Sequence, residues 1–123
     1  MLRACRRLLR PGGSLAFFTI FVAAGLSAAD RRRAVAVGPP APDNADLQDS
    51  LRRSGLVDVE AYDVSAAYAE TARAWLAARL RHRDVLRPLN PAVFDGRINE
   101  ARVAIPAIEA GLLRRSLFVA RRG

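Results

Sequence analysis

The chain has 123 residues, 51% of them hydrophobic, and a formal net charge of +8 at pH 7, which bounds it to one domain with a modest core. All 20 basic residues are arginine, so the charge reads as a compositional bias more than as a surface selected to neutralise phosphate, where lysine serves equally. One cysteine, Cys5, and one histidine, His82, exclude an internal disulfide, a cysteine-cluster metal site and a paired-histidine zinc site.

Leu2, Cys5, Leu8 and Leu9 recur at helical spacing with Arg3, Arg6, Arg7 and Arg10 on the other side, which predicts an amphipathic helix before Pro11. Pro11 ends it, since proline has no amide hydrogen for a continuing helix, and Gly12 and Gly13 tolerate the backbone of a sharp reversal. Residues 15–22 follow as a strand that is apolar on both faces apart from Thr19, the pattern of a central parallel strand covered by helices on either side. Residues 23–42 contain Arg31, Arg32 and Arg33 and then Gly38-Pro39-Pro40-Ala41-Pro42. They lose periodicity and read as a long surface loop, with one helical turn at residues 27–33 capped by Ser27.

Asp43 or Asn44 is expected to cap a short helix through Arg53, with Leu47 and Leu51 inward and Ser54-Gly55 closing it. In residues 56–64, Val57, Val59 and Ala61 alternate with Asp58, Glu60 and Tyr62, as in a half-buried strand. Glu60 and Asp63 then face opposite sides and form no carboxylate pair. Ser65 is expected to cap a long helix on which Tyr68, Ala72, Trp75, Leu76 and Leu80 form an apolar stripe, ending in the basic residues 79–83. Asn90-Pro91 opens a further helix with Phe94, Ile98, Ala101, Ile105, Ile108 and Leu112 on one face. Residues 116–122 finish the chain as a short strand. His82, among arginines, reads as solvated, because no positioned partner marks it as a general base.

Residues 1–29 also meet the description of a secretory leader: arginines, an apolar run, and the small-x-small tripeptide Ser27-Ala28-Ala29. Cleavage there would leave a secreted helical protein starting at Asp30. Against this, Pro11-Gly12-Gly13 interrupts where a leader helix would begin, and the arginines fall on one helix face without clustering; the apolar run is also too short for a membrane span of ~20 residues. A further reading, a small arginine-rich protein bound to nucleic acid or acidic lipid, rests on the charge alone.

Three stretches carry a resemblance. Arg7-Leu8-Leu9-Arg10-Pro11-Gly12-Gly13 and the apolar strand after it are similar to the approach to the fifth sheet strand of class I S-adenosylmethionine-dependent methyltransferases. Leu51-Arg52-Arg53-Ser54-Gly55-Leu56-Val57 resembles that family's helix, turn and sixth strand, and residues 116–122 resemble its seventh, antiparallel strand, which slots between the fifth and sixth. The resemblance implies an α/β fold: a partial Rossmann-like methyltransferase sheet, strands five to seven with the last antiparallel, and a two-helix insert at about residues 65–113. Residues 1–123 would be the carboxyl-terminal half of a methyltransferase domain.

In that family S-adenosylmethionine lies over a glycine-rich turn after the first strand, where glycines allow close backbone approach. This sequence has no Gly-x-Gly-x-Gly and no counterpart of the first four strands. The cofactor is thus implied by the resemblance, while cofactor-binding residues are expected to be none within this chain. The expectation is a cytoplasmic part-enzyme that transfers a methyl group from S-adenosylmethionine to a small-molecule acceptor and is inactive alone. Neither nucleic acid nor membrane is an expected partner. The strand at residues 15–22 would expose an unpaired edge, to be covered by a missing amino-terminal half or by a second copy of the chain, with truncation the favoured origin. Thr19 and Phe21, near the carboxyl end of that strand, and Tyr68 and Trp75, on the insert, are the substrate-pocket candidates, with core packing the plainer role for each. The sequence marks no catalytic residue and no metal ligand.

Overall fold

The structure is a computed structural model that describes residues 1–38 and 44–123. In chain order the elements are α1 (Leu2–Leu8), β1 (Ser14–Val22), α2 (Ala28–Val37), α3 (Asn44–Arg53), β2 (Leu56–Asp63), α4 (Ser65–Arg81), α5 (Arg83–Leu86), α6 (Pro91–Glu109) and β3 (Leu113–Arg122), with a 3-10 turn at Arg87–Leu89 between α5 and α6. The cap expected from Asp43 or Asn44 lies outside the described residues and side chains.

The three strands form one sheet in the order β1-β3-β2, with β3 antiparallel to both neighbours. The last strand thus inserts between the first two, the arrangement implied for strands five, six and seven. Pairing of β1 with β3 runs without a break from Ser14 opposite Arg121 to Val22 opposite Leu113. Gly12, at φ +74, turns the chain out of α1. Its N–H donates to the carbonyl of Arg122 at 2.9 Å, and the N–H of Arg122 donates back to the carbonyl of Gly13 at 2.9 Å. The Pro-Gly-Gly reversal is therefore stitched to the end of the strand it precedes by more than a hundred residues. Residues 14–22, the apolar part of the leader reading, lie in the sheet as β1. Among the described residues no strand pairs with the other edge of β1, and none of the helices is long and apolar enough to cross a membrane.

Successive side chains of a strand point to opposite faces, and the two faces of this sheet have separate cores. On one, Phe118, Ala120, Leu56, Phe17 and Leu15 pack with Leu51 and Leu47 of α3 and with Leu2 and Leu9. The rings of Phe17 and Phe118 stack at 5.5 Å. On the other, Leu113, Ile20 and Val22 pack with Ala34 of α2, Ala69 of α4 and Ala107 and Ile108 of α6. Helices therefore pack on both faces of the sheet, but among the described residues β1 is an antiparallel edge strand and not a central parallel one: none of its residues is fully buried, and Phe18 stays 54% exposed.

Several expectations need correction. Residues 28–37 are not loop: they form α2, with Ser27 Oγ accepting the Asp30 N–H at 3.1 Å. Its single fully buried residue, Ala34, is too small to give an apolar stripe. Val57 is 42% exposed, because two residues, Asp58 and Val59, oppose one on β3 in a bulge where Asp58 adopts φ +50. The bulge returns Val59 and Ala61 to the core face that Leu56 occupies. Ser65 is the first residue of α4 and not its cap. Asp63 Oδ1 accepts the Ser65 N–H at 2.9 Å instead. β3 begins at Leu113, not Ser116. The expected cap at Asn90 is present, its Oδ1 accepting the Val93 N–H at 3.2 Å.

Phe118 is completely buried and lies at the centre of the sheet. Its replacement by alanine leaves a ring-sized cavity and is expected to cost ~3–5 kcal/mol, read as a fall in the urea midpoint followed by far-ultraviolet circular dichroism.

Candidate functional site

The start of α4 is fastened to β3. Ser65 Oγ accepts the Arg115 N–H at 2.9 Å, and the Val64 N–H donates to the Arg115 carbonyl at 2.9 Å. Asp63, which also ion-pairs with the Arg114 guanidinium, holds the Ser65 amide. One turn further along α4, Tyr68 consequently lies over β3. The Arg115 guanidinium is 4.1 Å from the centre of the Phe18 ring and 5.3 Å from that of Tyr68. Its Nε is shut off from solvent and has no hydrogen-bond partner.

Tyr68 and Arg115 belong to an open cleft of about 1050 Å³. Ile20 and Arg115 reach it from the sheet, and α2, α4 and α6 supply its other sides. Trp75, two turns beyond Tyr68, is 60% exposed and carries the Arg79 guanidinium 5.2 Å from its ring centre. On α6, Glu100 lines the cleft with its carboxylate engaged by Arg97 at 3.0 Å. Burial raises the Tyr68 phenol above its ordinary value, the nearby Arg115 charge opposing this only in part, so the hydroxyl stays protonated and able to donate.

Of the sequence-derived pocket candidates, Tyr68 and Trp75 share this cleft. Thr19 and Phe21 do not: they alternate with Ile20 and pair with Ser116 and Arg114, which puts them on the opposite face of the sheet. Trp75 is not packed core: it is 60% exposed, and the residues that α4 gives to the core on this face are Tyr68, Ala69 and Ala72. Arg115 was missed because the strand expected from sequence began one residue after it, and Phe18, inside the expected first strand, was not separated from the rest of its apolar run. The available signal was an arginine two positions from an apolar alternation. Among the described residues no group of three or more His, Cys, Asp and Glu gathers to hold a metal.

The only adjacent pair of glycines is no nucleotide cradle. The Gly12 N–H is given to Arg122 and the Gly13 N–H to the carbonyl of Arg10 at 2.8 Å, so neither amide is free for a ligand. This turn therefore does not fit S-adenosylmethionine.

These elements define the fold of S-adenosylmethionine-dependent methyltransferases, present in part. The chain is similar to a phosphoethanolamine N-methyltransferase from Haemonchus contortus, with 15% identity and TM-score 0.78 over 98% of this chain and 29% of that one. It is similar to a putative sarcosine dimethylglycine methyltransferase from Galdieria sulphuraria, with 14% identity and TM-score 0.74 over 99% and 46%. A cyclopropane synthase from Mycobacterium tuberculosis gives 15% identity and TM-score 0.76 over 98% and 48%. The chain thus spans less than half the length of each of these three structures. No protein-family model matches the sequence, and no curated protein matches it.

Two outcomes follow from the site. The Arg114 guanidinium first, and then the Ser65 hydroxyl and amide, hold the Asp63 carboxyl at about 2, below its ordinary 3.8. A carboxyl that titrates lower when folded adds stability fully present above about pH 4 and lost as pH falls toward 2. Half-exposed, the pair adds little in water. Carboxyl-detected NMR is expected to place the Asp63 midpoint near 2, and Arg114→Gln to move it up toward 3.8. Gly96, on the α6 side of the cleft, has nothing within 4 Å of where a Cβ would lie. Gly96→Ala is therefore expected to stabilise the helix by ~0.5–1 kcal/mol in the same urea assay.

Proposed function

We propose that the chain is the carboxyl-terminal part of an S-adenosylmethionine-dependent methyltransferase of the cytoplasm and acts on a small molecule. In this reading the cleft lined by Tyr68 and Trp75 receives the acceptor. The donor is held by a portion of the enzyme outside these residues, docked on the open edge of β1, and the chain alone is inactive. The observation that carries the reading is the strand order β1-β3-β2 with an antiparallel central strand, in a fold that superposes on methyltransferases over 98% of the chain. The Haemonchus enzyme was solved in complex with phosphomonomethylethanolamine and S-adenosylhomocysteine, so a small acceptor is in keeping with that neighbour. Holding acceptor and donor in line would supply much of the rate, because methyl transfer is a displacement whose barrier is sensitive to alignment.

Calorimetric titration of the chain with S-adenosylmethionine tests the assignment. No micromolar binding is expected from residues 1–123 alone. Fusion of the chain behind the donor-binding half of one of the matched methyltransferases is expected to restore it. Micromolar binding by the chain alone, or a folded fusion that binds no donor, overturns the reading.

A further inference from the structure

We propose that Arg115 is the anion-recognising residue of the cleft, which therefore takes a small molecule carrying an oxyanion, either a carboxylate or a phosphate ester. The proposal rests on the cleft being a small-molecule pocket, though not on methyl transfer itself.

A guanidinium is charged throughout the physiological range and offers five donors in a planar fork. In Arg115 that fork lies against the Phe18 and Tyr68 rings, and the residue lines the cleft. Among the described residues, no acidic side chain ion-pairs with it. Its neighbour Arg114 takes Asp63, and Glu100, the acid lining the cleft, is taken by Arg97. The Nε–H is buried without any partner. A charged donor left unsatisfied inside a structure is costly, and such groups are ordinarily found paired.

The surroundings point the same way. Arg79, Arg97 and Arg115 line the cleft against the single carboxylate of Glu100, so the field inside it attracts anions. Tyr68 can add a hydroxyl donor, and Trp75 an apolar surface for the body of the molecule. An arginine fork matches two oxygens of a carboxylate or phosphate at once, which a neutral ligand cannot offer.

The arginine Nε–H region of the 15N NMR spectrum of the full 123-residue chain gives a direct readout. The Arg115 signal is assigned by its loss in Arg115→Lys. Benzoate and phenyl phosphate are the two oxyanion probes, and benzyl alcohol is the neutral control. The Arg115 signal is expected to move saturably with at least one oxyanion and not with benzyl alcohol, and the stronger probe identifies the carboxylate or the phosphate class. Arg115→Gln is expected to weaken that binding about tenfold or more, read by Trp75 fluorescence. Arg52→Gln, on α3 across the sheet, lowers the net charge equally and is expected to leave binding unchanged. An unmoved Arg115 signal, equal binding of benzyl alcohol, or an equal loss in Arg52→Gln overturns the proposal. The wild-type titration decides the matter even if Arg115→Gln does not fold. The two readings fail separately. Oxyanion binding with no methyl product from a donor-binding fusion sinks the methyltransferase reading alone. Methyl transfer to an uncharged acceptor sinks this one alone.

Discussion

Leu113–Arg122 must satisfy two neighbouring strands and two helical layers at once. As the middle strand it pairs along both edges, and its alternate side chains enter separate cores, Phe118 and Ala120 on one face and Leu113 on the other. Within the sheet, β1 and β2, far apart in sequence, are joined through it. Such non-local pairing carries a loop-closure cost before its contacts are formed. The stitch from Gly12 and Gly13 to Arg122 and the clasp from Val64 and Ser65 to Arg115 bind the strand near its two ends.

The clasp links that constraint to the cleft. Because α4 starts on the backbone of Arg115, the rotation of its first turn is determined by the sheet, and Tyr68 falls over β3. Packing of α4 on α6, with Arg73 and Glu109 bridging them, then leaves Trp75 outside the core, where it lines the cleft. A long apolar stripe on a helix is usually wholly buried. Here Trp75, in its second half, stays exposed and lines the cleft. The charge pattern divides likewise. Many arginines form half-exposed pairs that add little in water, whereas Arg115 faces two rings and, among the described residues, ion-pairs with no acid.

Local patterns in this chain are strong where helices and strands have ordinary punctuation. Pro11-Gly12-Gly13 before β1, Ser54-Gly55 before β2 and Asn90-Pro91 before α6 each mark a boundary through the backbone chemistry of the residues themselves, and each element formed where they predicted. The pattern failed where burial was carried by one small residue, as at Ala34 in α2, or where a bulge reset the alternation, as at Asp58 in β2. It also left the pocket candidates undivided. Nothing in the spacing of Thr19, Phe21, Tyr68 and Trp75 separates them, yet the sheet puts the first two on one face and the last two on the other.

The sequence by itself determined the strands and most of the helices, because hydrophobic period and turn chemistry are properties of neighbouring residues, and its Pro-Gly-Gly and Ser-Gly stretches carried the resemblance to methyltransferases. Only the tertiary structure decided that residues 18, 68 and 115 would meet. Their contact depends on the register of β1 against β3 and on the seating of α4 upon β3, and those pairings arise between segments about fifty residues apart or more.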